Sequence, residues 1–329
     1  MKLAWFTASP DTNALIDELR SAHQIETFDS TTAHNFVWQH FRAPYDLCVF
    51  ELDNTRDHAF AWPYLLHYSG VVLLRSTTLH DVRASTLEPV RLRDYAAEFA
   101  FNHGHPPSRH PSPHRASRGS WPMLRVPLLA SRITVVPHRG VIADLEDAYP
   151  DARIRYAPIP VPAAPRLTGI PRVEDTVIAA RWPYSGERQV EALSAMAAGK
   201  PVVVLETAAT ADWPTLDPQT WLVRGRRTER PIAISIDPRD QEHSLMLAHR
   251  RLSADGELRR QLADAAFDWW AGNASPAAAA QVWMPLLLES ASLPPPTHPL
   301  GWPGHLTADG SERAREILSE FGASVDFLR

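Results

Sequence analysis

The residues placed to do chemistry stand where short apolar runs end. Thr176 to Ala180 reads as a strand closed by Arg181, and Gly186-Glu187-Arg188-Gln189 opens a helix a few residues later. At such a helix start the unpaired backbone N–H groups and the helix dipole favour an anion, a diphosphate above all, and Gly186 lets it approach closely. Arg181, at the carboxyl edge where open α/β sheets bind ligands, can fork onto phosphate oxygens. Arg188 brings a second positive charge to the same turn. These residues also have structural uses: Glu187 suits any first helical turn, and Arg181 can close its strand by pairing with Asp175 or Glu187.

A second group lies in the first half. Asn54 and His58 flank the end of the run Asp46 to Leu52, and His80 follows the run Val71 to Leu74. Histidine at a strand edge can act as acid or base on a hydroxyl, whereas Asp53 or Asn54 can equally cap a helix. His103, His105, His110 and His114 crowd into Asn102 to Arg118, a stretch rich in proline and serine. Proline spacing there opposes a preset tetrahedral zinc shell, so the stretch reads as a basic flap over a cleft and no metal is expected.

The elements that must position these groups follow from the apolar pattern. Lys2 to Thr7, Ile25 to Phe28, Asp46 to Leu52, Val71 to Leu74 and Ile133 to Val136 read as strands alternating with helical stretches such as Asp11 to Ala22 and Val141 to Tyr149. That alternation predicts a mostly parallel sheet covered on both faces. Five prolines between Ala157 and Pro171 bar a continuous helix or central strand and mark a domain boundary. Beyond it come the strand Thr176 to Ala180, a helix from Glu187 to Ala198, the strand Pro201 to Leu205, helices from Gln241 to Ser290, and a tail opened by Pro294-Pro295-Pro296 with one helix, Ser311 to Phe321. The division is 1–160, 161–290 and 291–329. The apolar content of Ser275 to Ser290 needs a surface to cover, which the first domain can offer.

Composition narrows the function classes. With 329 residues the chain is long enough for two cores, and 38 acids against 33 bases exclude a nucleic-acid-coating surface. Thirty prolines against fourteen glycines make phosphate cradles of the glycine-rich type improbable, and neither the dinucleotide fingerprint nor the P-loop motif occurs. The one cysteine, Cys48, excludes an intramolecular disulfide and sits in an apolar run as a buried thiol. Met1 to Ala8 is too short for a signal peptide and no apolar run is long enough to span a bilayer, so the chain reads as cytoplasmic, with peripheral contact to a membrane left open.

Three stretches carry a family resemblance. Tyr45-Asp46-Leu47-Cys48-Val49-Phe50-Glu51-Leu52-Asp53-Asn54, with His58-Ala59-Phe60 and Gly70-Val71-Val72-Leu73-Leu74, resembles the N-domain of family 4 retaining glycosyltransferases. Ala130 to Val136, continuing through Ala157-Pro158-Ile159-Pro160, is similar to the end of that domain. The most specific is Arg181-Trp182-Pro183 with Gly186-Glu187, Ala195 and Gly199-Lys200-Pro201-Val202-Val203. It resembles the R-x-P-x-x-G-E-T-S and G-K-P-V-V pattern of one branch at the same spacing. Leu258-Arg259 and Ala263 to Trp270 are similar to the family's C-terminal run.

The resemblance implies an α/β protein of GT-B fold, two Rossmann-like domains with parallel sheets facing across a cleft, the second truncated. It implies retaining transfer of a sugar from a nucleotide-sugar donor to the hydroxyl of a glycan, lipid-linked or small-molecule acceptor, with no metal cofactor. Arg181, Gly186, Glu187 and Arg188 then fall on the donor side and Asn54 and His58 on the acceptor side, with His58, His80 and Glu187 as catalytic candidates. Departures are visible. Val161 to Asp175 is fifteen residues, too few for even one βαβ unit of ~30. The E-x7-E pair of the wider family maps onto Gly186 and Ser194, and Arg188-Gln189 replaces the Thr-Ser pair. The alternative is a catalytically inactive binding or scaffold protein that kept the shell. A hydrolase using Glu187 and Glu191 is disfavoured, because carboxylates one turn apart on a helix do not flank a bond as glycosidases require. Homo- or hetero-oligomer formation stays open.

Overall fold

A computed structural model describes residues 1–107, 121–180, 186–224, 230–308, 311–322 and 324, without the side chains of 186–188, 312 and 313. The first sheet joins β1 (Lys2–Phe6), β2 (Gln24–Phe28), β3 (Leu47–Leu52), β4 (Val71–Leu74), β5 (Ile133–Val136) and β6 (Ile154–Tyr156) in the order β2-β1-β3-β4-β5-β6. All five pairings are parallel. Continuous apolar strands are what a sheet covered on both faces requires. On one face Phe36 of α2 (Phe36–Arg42), Trp62 and Leu65 of α3 (Ala61–His67), Val82 of α4 (His80–Leu87), Leu128 of α6 (Arg125–Ala130) and Leu145 of α7 (Ile142–Ala148) pack against Phe6, Phe50 and Val72. Alternate residues of the same strands, among them Leu3, Trp5 and Val49, face α1 (Asn13–Leu19). Burial pushes the Cys48 thiol up to about 12, so it is an inert core group. Gly70 enters β4 so close to β3 that a Cβ there would stand 2.0 Å from the Cys48 carbonyl oxygen.

The second sheet runs β10-β9-β11-β8-β7, with β7 (Val177–Ala179), β8 (Val202–Leu205), β9 (Thr215–Leu216), β10 (Val223–Arg224) and β11 (Ala233–Ile236). Only β9 with β10 is antiparallel. Ala192, Leu193 and Met196 of α8 (Gly186–Ala197) share one core with Ala266 and Trp270 of α10 (Gly256–Asn273). Ala248 and Leu252 of α9 (Gln241–Ala254) cover the other face. The helix and the two strands read from the pattern are there as α8, β7 and β8. The strands β9, β10 and β11 were not legible, since β9 and β10 are two residues each and Ser235 interrupts the apolar run of β11.

The chain then returns to the first domain. Ser275 caps α11 (Pro276–Ser292) by accepting from the Ala278 N–H, with Pro276 in the first turn. Ala279, Trp283 and Leu287 bury against Leu3, Trp5 and Leu15. The rings of Trp5 and Trp283 lie 5.4 Å apart, and the Trp283 indole donates to the Pro158 carbonyl at 3.0 Å. The tail follows it. Leu306 joins the first core, Trp302 packs on Phe101, and His305 Nε2 lies 2.9 Å from Glu98 Oε1. Glu98, on α5 (Leu92–His103), is fully buried and paired with Arg83, whose guanidinium covers the Trp62 ring at 4.2 Å. Burial works to raise the Glu98 pKa, but His305 and Arg83 outweigh it and hold it below the usual carboxylate range. Among the described residues no helix is long and apolar enough to cross a membrane.

Candidate functional site

In the first sheet the strand order reverses between β1 and β3, and open α/β sheets bind ligands outside the carboxyl ends at such a point. Alternation puts three polar side chains on one face there: Thr7 directly after β1, Glu51 in β3 and Arg75 directly after β4. Glu51 is wholly buried and fully engaged. Thr7 Oγ1 donates to its Oε2 at 2.5 Å, Thr12 Oγ1 at 3.2 Å, and Arg75 Nη1 to its Oε1 at 2.6 Å. The other arm of Arg75 donates to Asp11 Oδ2 at 2.8 Å, and its Nε stands 4.0 Å from Asp53 Oδ2. Burial opposes the Arg75 charge, yet Glu51 and Asp11 prevail and hold its pKa above the ordinary arginine value.

His58 completes the cluster. It is buried at the end of the 3-10 turn Arg56–His58, with Nδ1 2.9 Å from Thr55 Oγ1 and Nε2 4.0 Å from Glu51 Oε1. Burial lowers its pKa against the pull of Glu51 and Asp53, so the ring is neutral at neutral pH. Its Nε2 is buried with no hydrogen-bond partner. Three carboxylates face one guanidinium here, so the cluster is net negative, which repels a diphosphate and suits hydroxyl groups that donate to Asp11 and Asp53.

The other candidates of the first half gather at the same edge in different roles. Asn54 Oδ1 accepts from the N–H groups of Asp81 and Val82, and its Nδ2 donates to Asp81 Oδ2 at 3.1 Å. Asn54 thus ties the end of β3 to the start of α4. His80 opens α4, with Nε2 3.0 Å from the Tyr95 hydroxyl. His103 packs between Phe99 and Trp121, and burial brings its pKa down to about 4. His110 and His114 lie outside the described residues, and among those described no group of three acids, histidines or cysteines is arranged to hold a metal ion. Sequence reasoning missed Glu51 and Arg75 as site residues. A lone carboxylate in the otherwise apolar run Leu47 to Leu52, and an arginine ending the next strand, were the available signal.

On the second domain, Arg181 lies outside the described residues. Gly186 begins α8, while the side chains of Glu187 and Arg188 are not described. The two domains meet through loops at the carboxyl ends of their strands. Gly140, shortly after β5, lies against Ala208, shortly after β8, and a Cβ at Gly140 would stand 2.3 Å from the Ala208 carbonyl oxygen. Arg139, 3.8 Å from Asp212, also covers the Tyr156 ring at 3.8 Å. His138 beside them has its pKa brought down to about 4 by burial. The carboxyl edges of the sheets therefore face one another. Gly140→Ala should force the domains apart at a cost of about 1 to 3 kcal/mol, seen as a larger radius of gyration in solution scattering with secondary structure unchanged. An unaltered scattering curve would show that this contact does not set the domain spacing.

No family model matches the chain, and no curated protein does. Solved structures do. Sucrose-phosphate synthase from Thermosynechococcus elongatus aligns over 88% of this chain and 100% of its own, with TM-score 0.50 and 11% sequence identity. HepE of Anabaena, in complex with UDP, aligns over 88% and 100% with TM-score 0.45 and 11% identity. The calicheamicin glycosyltransferase CalG4 aligns over 89% and 99% with TM-score 0.37 and 13% identity. The first of these carries the architecture, and with the facing carboxyl edges it makes the chain an α/β protein of GT-B fold.

Proposed function

We propose that this protein is a glycosyltransferase that moves a sugar from a nucleotide-sugar donor to an acceptor hydroxyl, with retention at the transferred carbon. The observation supporting it is the opposition of two unlike strand edges: a net negative cluster of Glu51, Arg75, Asp11, Asp53 and neutral His58 faces the domain whose α8 starts at Gly186. The helix start and Arg181 would take the diphosphate and stabilise its charge as it leaves. Glu187 belongs to that donor side by its match to the G-E-T-S branch, and Arg188, which stands where that branch has threonine, adds a positive charge to the same turn. Asp11 and Asp53 would receive acceptor hydroxyls, with neutral His58 behind them, and Asn54 holds the loop after β3 to the start of α4, which His80 opens. Assignment to family 4, and retention with it, rests on the motif resemblance.

A second reading has its own observation. Strand β7 is the last strand of its sheet, and the segment Val161 to Asp175 that leads into it is too short for the further βαβ unit that the resemblance would place there to hold a base. A GT-B shell of that kind can serve as a non-catalytic binding protein. Calorimetry against nucleoside diphosphates and nucleotide sugars separates the two. Transfer predicts phosphate-led binding, weak, indifferent to the base and weakened by salt, with Arg181→Ala costing about tenfold to a hundredfold in affinity. Absence of binding to every nucleotide at millimolar concentration would leave only the scaffold.

A further inference from the structure

The edge of the first sheet opposite the domain contact carries a groove that the transfer reading does not use. It is a cavity of about 380 Å³ beside β2, bounded by that strand, by Arg20 after α1, and by Asn35 and Gln39 at the start and middle of α2. Some of its polar side chains are bonded within the chain, Arg20 to Asp17 and Thr32 to Asp29, and others stay open to a ligand. The Tyr45 hydroxyl donates its one proton to the Glu26 carboxylate and can accept from the Gln39 side-chain amide, 3.0 Å away, which leaves the rest of that amide open to a ligand. The side chains of Thr27 and Asn35 make no hydrogen bond among the described residues. Of the two charged residues that line the cavity, Arg20 is paired with Asp17 at 2.6 Å, so Glu26 leaves the groove slightly negative.

An aromatic surface adjoins the groove. Helix α2 turns Phe36 into the core and presents Val37, Trp38 and Phe41 to solvent, with Trp38 62% and Phe41 79% exposed. Their rings are stacked, 6.2 Å apart and 23° from parallel, and the Arg42 guanidinium lies 5.8 Å from the Trp38 ring. Trp38 is one helical turn from Asn35 and next to Gln39, so the ring pair borders the polar groove. Exposed aromatic clusters rimmed by polar residues mark binding surfaces.

We propose that the groove and the Trp38 ring together form a carbohydrate-binding site for an uncharged oligosaccharide, separate from the cleft between the domains. A sugar ring has an apolar C–H face that fits the electron-rich face of an indole, and an equatorial fringe of hydroxyls that suits neutral amides and a hydroxyl. With Arg20 neutralised by Asp17, Glu26 gives a polyanion no attraction. A membrane surface fits less well: interfacial helices carry Lys and Arg along the polar face, whereas α2 has seven residues and its groove side is Asn35 and Gln39. The site does not depend on transfer activity.

The test is calorimetry of the full chain with maltoheptaose, cellohexaose, xylohexaose and a neutral mannan oligosaccharide. One of these should bind. Trp38→Ala and Gln39→Ala should each weaken it at least tenfold, Trp38→Phe should restore most of it, and nucleotide binding should stay unchanged in all three. Because Trp38 is exposed, its variants should melt at the wild-type temperature. Failure of all four sugars to bind would overturn the proposal, and so would binding that survives both alanine variants. Sedimentation with phosphatidylcholine and phosphatidylglycerol vesicles, or a dimer, that Trp38→Ala abolishes while no sugar binds would instead assign the patch to a membrane or to a second copy.

Discussion

Arg75→Met should destabilise the protein by about 3 to 5 kcal/mol, because it leaves the wholly buried Glu51 carboxylate without its guanidinium. Thr7 and Thr12 would still donate to Glu51, but two hydroxyls do not replace a full opposite charge in a low-dielectric interior. Denaturant unfolding measures the loss. The double variant Arg75→Met/Glu51→Met should recover most of it, since an apolar pair in place of a buried ion pair is close to neutral. If the single variant loses less than 1 kcal/mol, the Glu51 site is more hydrated than its burial indicates. Acceptor binding should fall in the single and the double variant alike, because Asp11 and Asp53 lose the arginine that aligns them. Recovered stability without recovered binding would separate the structural part of the cluster from its functional part.

Trp283→Ala should cost about 3 to 5 kcal/mol as well, for a different reason. The indole is completely buried between the first sheet and the linker, in contact with Trp5, and it satisfies the Pro158 carbonyl. Removing it opens a cavity and leaves that carbonyl without the indole donor. Since α11 is the element by which the chain after the second sheet returns to the first domain, the loss should also loosen α11 before either sheet unfolds. Limited proteolysis should then cut within or beside Pro276–Ser292 sooner than in the parent protein. An unchanged cleavage pattern at unchanged stability would mean that Arg132, which donates to the Ser290 carbonyl, and Arg155, paired with Glu289, suffice to hold the helix.

Both experiments probe contacts that no local pattern displays. The strands Val71 to Leu74 and Ile133 to Val136 were legible to the residue because a parallel strand buried on both faces must be an unbroken apolar run. The helix at Gly186 was legible because a strand, a short connection and an amphipathic period followed one another. Asn54 and His58 could be placed at a strand end but not given roles. Whether Asn54 met a ligand or capped a helix depended on where α4, 26 residues further on, would lie. Glu51 and Arg75 were passed over because an isolated charge in an apolar run has no meaning until its partner is known, and the partners come from the loops after β1, β3 and β4.

Alone, the sequence determined the class of the chain: two α/β units joined by a proline-rich segment, the positions of most strands, and a helix that begins at Gly186. These depend on period, composition and steric rules acting within a few residues. The tertiary structure decided the rest. Strand order placed the reversal between β1 and β3, register set Glu51 beside Thr7 and close to Arg75, and the return of α11 and of His305 covered the first domain with the end of the chain. Such contacts join residues far apart in the chain, 207 positions for His305 and Glu98, and their free energy comes from burial and charge pairing that exist only once the sheets have formed.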